Sequence, residues 1–258
     1  MSAVEVTDKG AVRVITFNRP DRRNATSAEM VAAINDALPM PAEESIRAVV
    51  LTGSDPAFSA GGDLKAKPVP IEPGSRRMRE VFNPMVMRLA TLPLPVIAAV
   101  NGPALGAGLS LALAADLRVA SRRAVFSSGF VDVGLATDTG SSYFLPRLVG
   151  RGRAFEILTT GRKVGADEAL AMGLVNRVVE HEELLPKALE LAELLCSKPG
   201  IAVPALKELL EAAGGNSLAQ QLEAEAMMYD RAATHPQRLA AKKAKVAQMS
   251  GGRTTDRP

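Results

Sequence analysis

Tryptophan is absent from this chain, and aromatic residues of all kinds make up 3% of its 258 residues. Single-strand nucleic-acid platforms need aromatic faces interleaved with basic residues, so that class of function is disfavoured. The net charge of +3 is too small to imply a nucleic-acid footprint. Cysteine occurs once, at Cys196, which excludes an internal disulfide framework and any cysteine metal cluster. The two histidines, His181 and His235, stand in polar settings outside any ligand-spaced motif, so no metal site is expected. No apolar run is long enough to span a bilayer, and the opening MSAVEVTDKG has neither a basic n-region nor an apolar h-region. A cytoplasmic protein that does not engage membranes is the expectation.

What remains is a composition of 47% apolar and 23% charged residues, that of a globular protein, in a length that suits one large domain or a domain with a helical appendage. The organising stretch is Asn101–Ser110, NGPALGAGLS. It follows the apolar run Val96–Val100 and opens into a second apolar segment, which reads as strand, glycine turn, helix N-terminus. Gly102, Gly106 and Gly108 let the backbone turn sharply and come close to whatever sits there. Unpaired N–H groups at such a turn suit a phosphate, or an oxyanion that forms only during a reaction.

Before it, Ala11–Phe17 alternates as a strand, and Thr26 or Ser27 is placed to cap a helix with Met30, Ile34 and Leu38 on one face. Ala48–Thr52 reads as a strand buried on both faces, and AFSAGGDL at Ala57–Leu64 is a second glycine turn after a buried strand. Two such turns suggest two sets of backbone donors built for one ligand. Lys65–Gly74 is a loop or lid candidate, and Ser75–Ala90 a helix kinked at Pro84. Leu117–Ser127 returns to strand character, and Gly134–Gly150 is a further turn into a helix. From Ala154 the pattern is helical almost throughout, with stripes at Leu184/Ala188/Leu191/Leu195, Leu206/Leu209/Leu210 and Leu218/Leu222/Met227. The division expected is an α/β core over residues 1–195 and a helical region over 196–258. A basic cluster, Arg238, Lys242, Lys243 and Lys245, reads either as a solvated helix face or as a contact to an anionic ligand.

AFSAGGDL followed by PVIAAVNGPALGAGLSLALAADLRVAS resembles the crotonase (enoyl-CoA hydratase/isomerase) superfamily. The likeness extends through FNRPDRRNA, GLATDTGSSYFLPRLVG and GRKVGADEALAMGLVNRVV, about residues 5–180. The resemblance implies an α/β fold, a spiral core of ββα turns with C-terminal helices that assemble a homotrimer or a hexamer made as a dimer of trimers. It implies an acyl-CoA thioester as substrate, no other cofactor, and two backbone amides that stabilise a thioester enolate. By position those amides are Gly62 and Ala107, the latter standing where a glycine is usual. Arg23, Ala25, Ala60, Asp63 and Leu64 would line the CoA channel, with Arg23 on a phosphate, and the C-terminal lysines could reach CoA phosphates.

The chain departs from the hydratases of that family, whose two glutamates hold and activate water. Ser110 and Phe130 stand at those positions, and neither is a carboxylate. Phe130 reads as a wall of the acyl pocket and Ser110 as a helix residue with a local hydrogen bond. Asp138 occupies the turn where some enoyl-CoA isomerases, and the related ring-opening isomerases, carry a single acid. A double-bond shift needs one base only. The other reading of Asp138 is an N-cap for a helix beginning near Thr139. Asp132 reads as surface or structural. The expected function is therefore enoyl-CoA isomerisation with Asp138 as base. The alternatives are a 2-enoyl-CoA hydratase and a non-catalytic acyl-CoA-binding member. Asp138-Thr139-Gly140 also reproduces the local signature of aspartic proteases, but no second copy exists and the pattern is not all-β.

Overall fold

The computed structural model describes residues 2–40, 43, 45–63 and 74–251. These fall into two compact units, Met1–Glu193 and Leu194–Pro258.

The first unit is built on two sheets. Its strands are β1 (Val4–Lys9), β2 (Val12–Phe17), β3 (Ala48–Gly53), β4 (Val96–Val100), β5 (Ala104–Leu105), β6 (Leu117–Ser121), β7 (Val125–Ser127), β8 (Val164–Gly165) and β9 (Arg177–Val179). Six of them pair in the order β1-β2-β3-β4-β6-β9, and β5-β7-β8 form a smaller sheet. Only β1–β2 is antiparallel in the larger sheet; every later pair is parallel and needs a crossover. β3 and β4 are buried along their whole length, as their unbroken apolar runs require. Leu117–Ser127, read as returning to strand character, holds two strands, β6 and β7, in different sheets. β8 and β9 interrupt the region expected to be helical from Ala154. With two and three residues, they carry too little periodicity to be read from sequence.

Helices α1 (Ala28–Ala37), α2 (Gly74–Arg77), α3 (Asn83–Thr91), α4 (Ala107–Leu113), α5 (Ser141–Val149), α6 (Arg151–Thr160), α7 (Ala166–Ala171) and α8 (Leu184–Cys196) follow the strands. Ser27 caps α1 by accepting from the Met30 amide, and Met30, Ile34 and Leu38 are fully buried. The kink expected at Pro84 is replaced by a π-helical turn, Met78–Phe82. That turn lets α3 begin afresh with Pro84 in its first turn, where a missing N–H breaks no bond.

The second unit holds α9 (Ala202–Ala213), α10 (Leu218–Ala233) and α11 (Pro236–Gly251). Ser217 and Gln220 form a reciprocal capping box at α10, and Gln221 Nε2 donates to the Leu209 carbonyl at 3.0 Å. The apolar stripes read from sequence exist, but Leu206, Leu210, Leu218, Leu222 and Met227 are exposed in this chain. No helix among the described residues is long and apolar enough to cross a membrane.

Candidate active site

The loop that follows β2 begins the site. Arg23 and Asn24 both hold positive φ, +49° and +54°, conformations that cost free energy outside glycine. Asn24 is completely buried and offsets that cost by wiring the loop to the turn after β3. Its Nδ2 donates to the carbonyls of Ser54 and Ala57, and its Oδ1 accepts from the Arg19 amide and from Ser54 Oγ. Asn24 was not singled out by the sequence reading. Its one local signal is that asparagine tolerates the left-handed region.

The two glycine turns meet directly. The Ser59 amide donates to the Pro103 carbonyl at 3.1 Å, and the Leu105 amide to the Ser59 carbonyl at 2.9 Å. A Cβ on Gly108 would lie 2.4 Å from the Ser59 carbonyl oxygen, and one on Gly61 2.7 Å from that of Leu105. Both are backbone atoms, so only glycine permits the approach. Gly61 in addition holds φ at +88°.

This contact sets the two expected donors. Thr26 pairs in parallel with Gly62, its amide bonding to the Gly61 carbonyl at 2.6 Å and its carbonyl accepting from the Asp63 amide at 3.1 Å. In a parallel bridge the middle residue turns its own N–H to the opposite side, so the Gly62 amide faces away from Thr26. Ala107 opens α4, where an N–H has no intrahelical partner. Among the described residues, neither amide donates a hydrogen bond within the protein. A Cβ on Gly61 would stand 3.4 Å from the Ala107 nitrogen, so the Ala107 amide lies beside the turn that carries Gly61 and Gly62. Every residue of α4 is buried, a dry setting in which such donors act most strongly.

Of the residues expected along the CoA channel, Arg23, Ala25, Ala60 and Asp63 are gathered at this junction. Arg23 is exposed, and its carbonyl accepts from the Ala60 amide at 2.9 Å. Ala25 is buried, with its carbonyl bound to Arg19 Nη1 at 2.6 Å. Asp63 does not offer its carboxylate to open solvent: its side chain is 6% exposed and ion-paired with Arg19 Nη2 at 2.7 Å. Arg19, also not singled out from sequence, thereby ties the second turn to the first loop. Leu64, and residues 65–73 of the stretch expected as a loop or lid, lie outside the described residues. Phe130 is half-buried, and its ring edge would stand 3.8 Å from a Cβ on Gly106, the N-cap of α4. That places the ring next to the residue that precedes Ala107.

Asp138 lies on the segment that leads into α5. The capping alternative is corrected: α5 begins at Ser141, its N-cap is Gly140, and no side chain caps it. The half-buried Asp138 carboxylate instead accepts from Thr139 Oγ1 at 2.5 Å. Ser110, expected as a helix residue with a local hydrogen bond, is fully buried; its Oγ lies 3.4 Å from the Gly106 carbonyl one turn back and also reaches across to this segment. Its Oγ lies 3.2 Å from the Asp138 carbonyl and 2.6 Å from Ser141 Oγ. Ser110 sits one helical turn beyond Ala107, so the single acid is anchored to the helix that carries the second amide. Asp132 stands against Gly161, with no part in this cluster.

The arrangement is the amides of Gly62 and Ala107, without an internal partner among the described residues, the Phe130 ring next to the N-cap of α4, and the Asp138 carboxylate on an adjoining segment. The sequence model of the family described as enoyl-CoA hydratase/isomerase matches residues 7–244. The chain is 46% identical over 198 residues to the Mycobacterium tuberculosis protein named probable enoyl-CoA hydratase EchA12, covering 72% of this chain and 70% of that one. It is 38% identical over 223 residues to the 1,2-epoxyphenylacetyl-CoA isomerase of Escherichia coli, covering 84% and 85%. The crystal structure of an enoyl-CoA hydratase from Bacillus anthracis superposes with a TM-score of 0.90 at 34% identity, over 95% of this chain and 96% of that one.

Proposed function

This chain belongs to the enoyl-CoA hydratase/isomerase family, and from that premise we propose that it shifts the double bond of an enoyl-CoA, with Asp138 as the single base. The Asp138 carboxylate takes a proton from C2 of a 3-enoyl thioester. As the C2–H bond breaks, its electron pair forms the C1=C2 bond of a dienolate and charge moves onto the thioester oxygen. The amides of Gly62 and Ala107 receive that charge without reorganising, each worth about 3 kcal/mol in the transition state. Return of the same proton to C4 consumes the old C3=C4 bond, the C1=C2 pair moves to make C2=C3, the thioester carbonyl is restored, and the mass is unchanged. Proton transfer through an enolate needs neither a metal nor a redox partner, so treatment with a chelator leaves the rate unaltered.

The observation that carries this reading is the anchoring of Asp138 to Ser110. The position where the hydratases place a glutamate holds instead a hydroxyl bonded to the segment of the one acid. The isomerase relative supports it. The 46% identity to a protein named a hydratase favours the second reading, addition of water to a 2-enoyl-CoA. Feeding a 3-enoyl-CoA and, separately, a 2-enoyl-CoA, with products resolved by mass and retention, tests both. A shifted double bond without added mass supports isomerisation; a gain of one water from the 2-enoyl substrate supports hydration. Silence on both moves the weight to a binding-only member.

Arg23, Ala25, Ala60, Asp63 and Leu64 serve the CoA moiety in this proposal, and Phe130 the acyl group. The second unit serves assembly into a homotrimer or a dimer of trimers. Support comes from Leu210 and Leu218, 74% and 76% exposed in the single chain. Light scattering should give three or six times the 27.1 kDa chain mass.

A further inference from the structure

The neighbours of Asp138 specify more than its location. Thr139 is buried, 4% exposed, and holds φ at +56°, a left-handed conformation that disfavours a β-branched residue. Strain of this kind persists only where the surroundings enforce it. Here it brings Thr139 Oγ1 onto Asp138 Oδ1. On the other side two fully buried serines form a pair: Ser110 Oγ lies 2.6 Å from Ser141 Oγ, 3.2 Å from the Asp138 carbonyl and 3.4 Å from the Gly106 carbonyl. Among the described residues Asp138 Oδ2 accepts no hydrogen bond.

We propose that Thr139, Ser110 and Ser141 are positioning residues that fix Asp138 so that Oδ2 is the oxygen that takes and returns the substrate proton. The serine pair holds the backbone of Asp138, and Thr139 occupies Oδ1 and so sets the rotation of the carboxylate. This deepens the isomerase reading and rests on it. Hydroxyls at 110 and 141 do for the single base what a second carboxylate does not do in this chain: they orient without contributing charge.

The test measures kcat and KM for conversion of a 3-enoyl-CoA to its 2-enoyl isomer, together with the Kd of a saturated acyl-CoA, for four variants. Thr139→Val should lower kcat on the order of tenfold to a hundredfold, with KM and Kd within about twofold of wild type. Thr139→Ser keeps the hydroxyl and should restore kcat to within about threefold, a rescue that a merely structural role for the threonine does not predict. Should Thr139→Val fail to fold, Ser110→Ala decides, because it removes a hydroxyl from α4 and leaves the backbone at 139 alone. A fall of about tenfold in kcat at unchanged KM supports the inference, and an unchanged kcat overturns it. The fourth variant, Asp138→Asn, separates the two levels. Full loss there with normal kcat in Thr139→Val overturns the positioning roles and leaves the base in place. Retained turnover in Asp138→Asn removes the base, and the positioning roles with it.

Discussion

At the junction of the glycine turns, the closest contact is backbone on backbone: the Ser59 carbonyl against Gly108 and the Leu105 carbonyl against Gly61. At the Asp138 segment the contacts are hydroxyls: those of Ser110 and Thr139 reach Asp138, and that of Ser141 meets Ser110. The first region presents donors whose direction follows from the fold itself, and a side chain at Gly61, Gly102 or Gly108 collides with a backbone oxygen. The second presents an acid whose direction depends on a few hydrogen bonds that could each be deleted without moving a helix. Donors for a developing charge are thus fixed by packing, and the base by local polar contacts. The two regions should accordingly fail in different ways.

The sharpest contrast comes from Gly108→Ala. A methyl group placed 2.4 Å from a backbone oxygen forces α4 off the first turn. It should cost about 3 kcal/mol of stability and, by displacing the Ala107 amide, on the order of a hundredfold in turnover. Denaturant unfolding and kinetics on the same preparation check both; a loss of turnover with unchanged stability would break the contrast with the Asp138 side.

Asn24→Ala should act next most strongly. It strands the carbonyls of Ser54 and Ala57 and releases two residues held at positive φ, at roughly 2–3 kcal/mol. Its effect on turnover should follow its effect on stability, read as a fall in denaturant midpoint. A large kinetic loss in a protein of wild-type stability would mean that the loop acts on substrate directly.

Arg118 offers a control away from both regions. It is almost fully buried in β6, with Nε on the Leu174 carbonyl at 2.8 Å and Nη1 on that of Ala115 at 2.6 Å. Burial pushes its pKa down to about 10, so it remains protonated at neutral pH. Because the folded value lies below the ordinary guanidinium range, the unfolded chain binds the proton more readily between the two. This group's contribution therefore favours folding increasingly as pH rises above about 10. Arg118→Ala should cost roughly 2–4 kcal/mol near neutrality and leave KM unchanged in whatever protein still folds.

The smallest effect is expected at Asp55. Partial burial raises its pKa, but the hydrogen bonds from Asn101 and His181 outweigh it and hold the carboxyl below its ordinary 3.8. Its contribution to stability is present above that ordinary value and is lost as pH falls through the lower folded one. Asp55→Asn should therefore cost under about 1 kcal/mol at pH 7, with the difference from wild type vanishing in acid. Thermal unfolding across that acid range checks it.

How legible each region was in the sequence follows from the same physics. The glycine turns could be read because a residue without a Cβ is demanded where backbones touch, and two such turns after apolar runs imply a meeting. The buried strands Ala48–Gly53 and Val96–Val100 declared themselves by unbroken apolar runs. Asp138 could be found only through resemblance. Its capping alternative failed because Gly140, not Asp138, takes the N-cap of α5. Asn24 and Ser141 were missed since their partners stand thirty or so residues away and no local pattern records such pairs. The stripes of α9 and α10 were correctly placed on helices, yet periodicity does not say what covers them.

The most direct test is Asp138→Asn, assayed for conversion of a 3-enoyl-CoA and for the Kd of a saturated acyl-CoA. The single-base account predicts turnover reduced by about a thousandfold or more, with Kd within about twofold of wild type, because the CoA-facing loops and both amides are untouched. Turnover close to wild type at unchanged Kd would contradict it and return the proton transfer to a group not yet assigned.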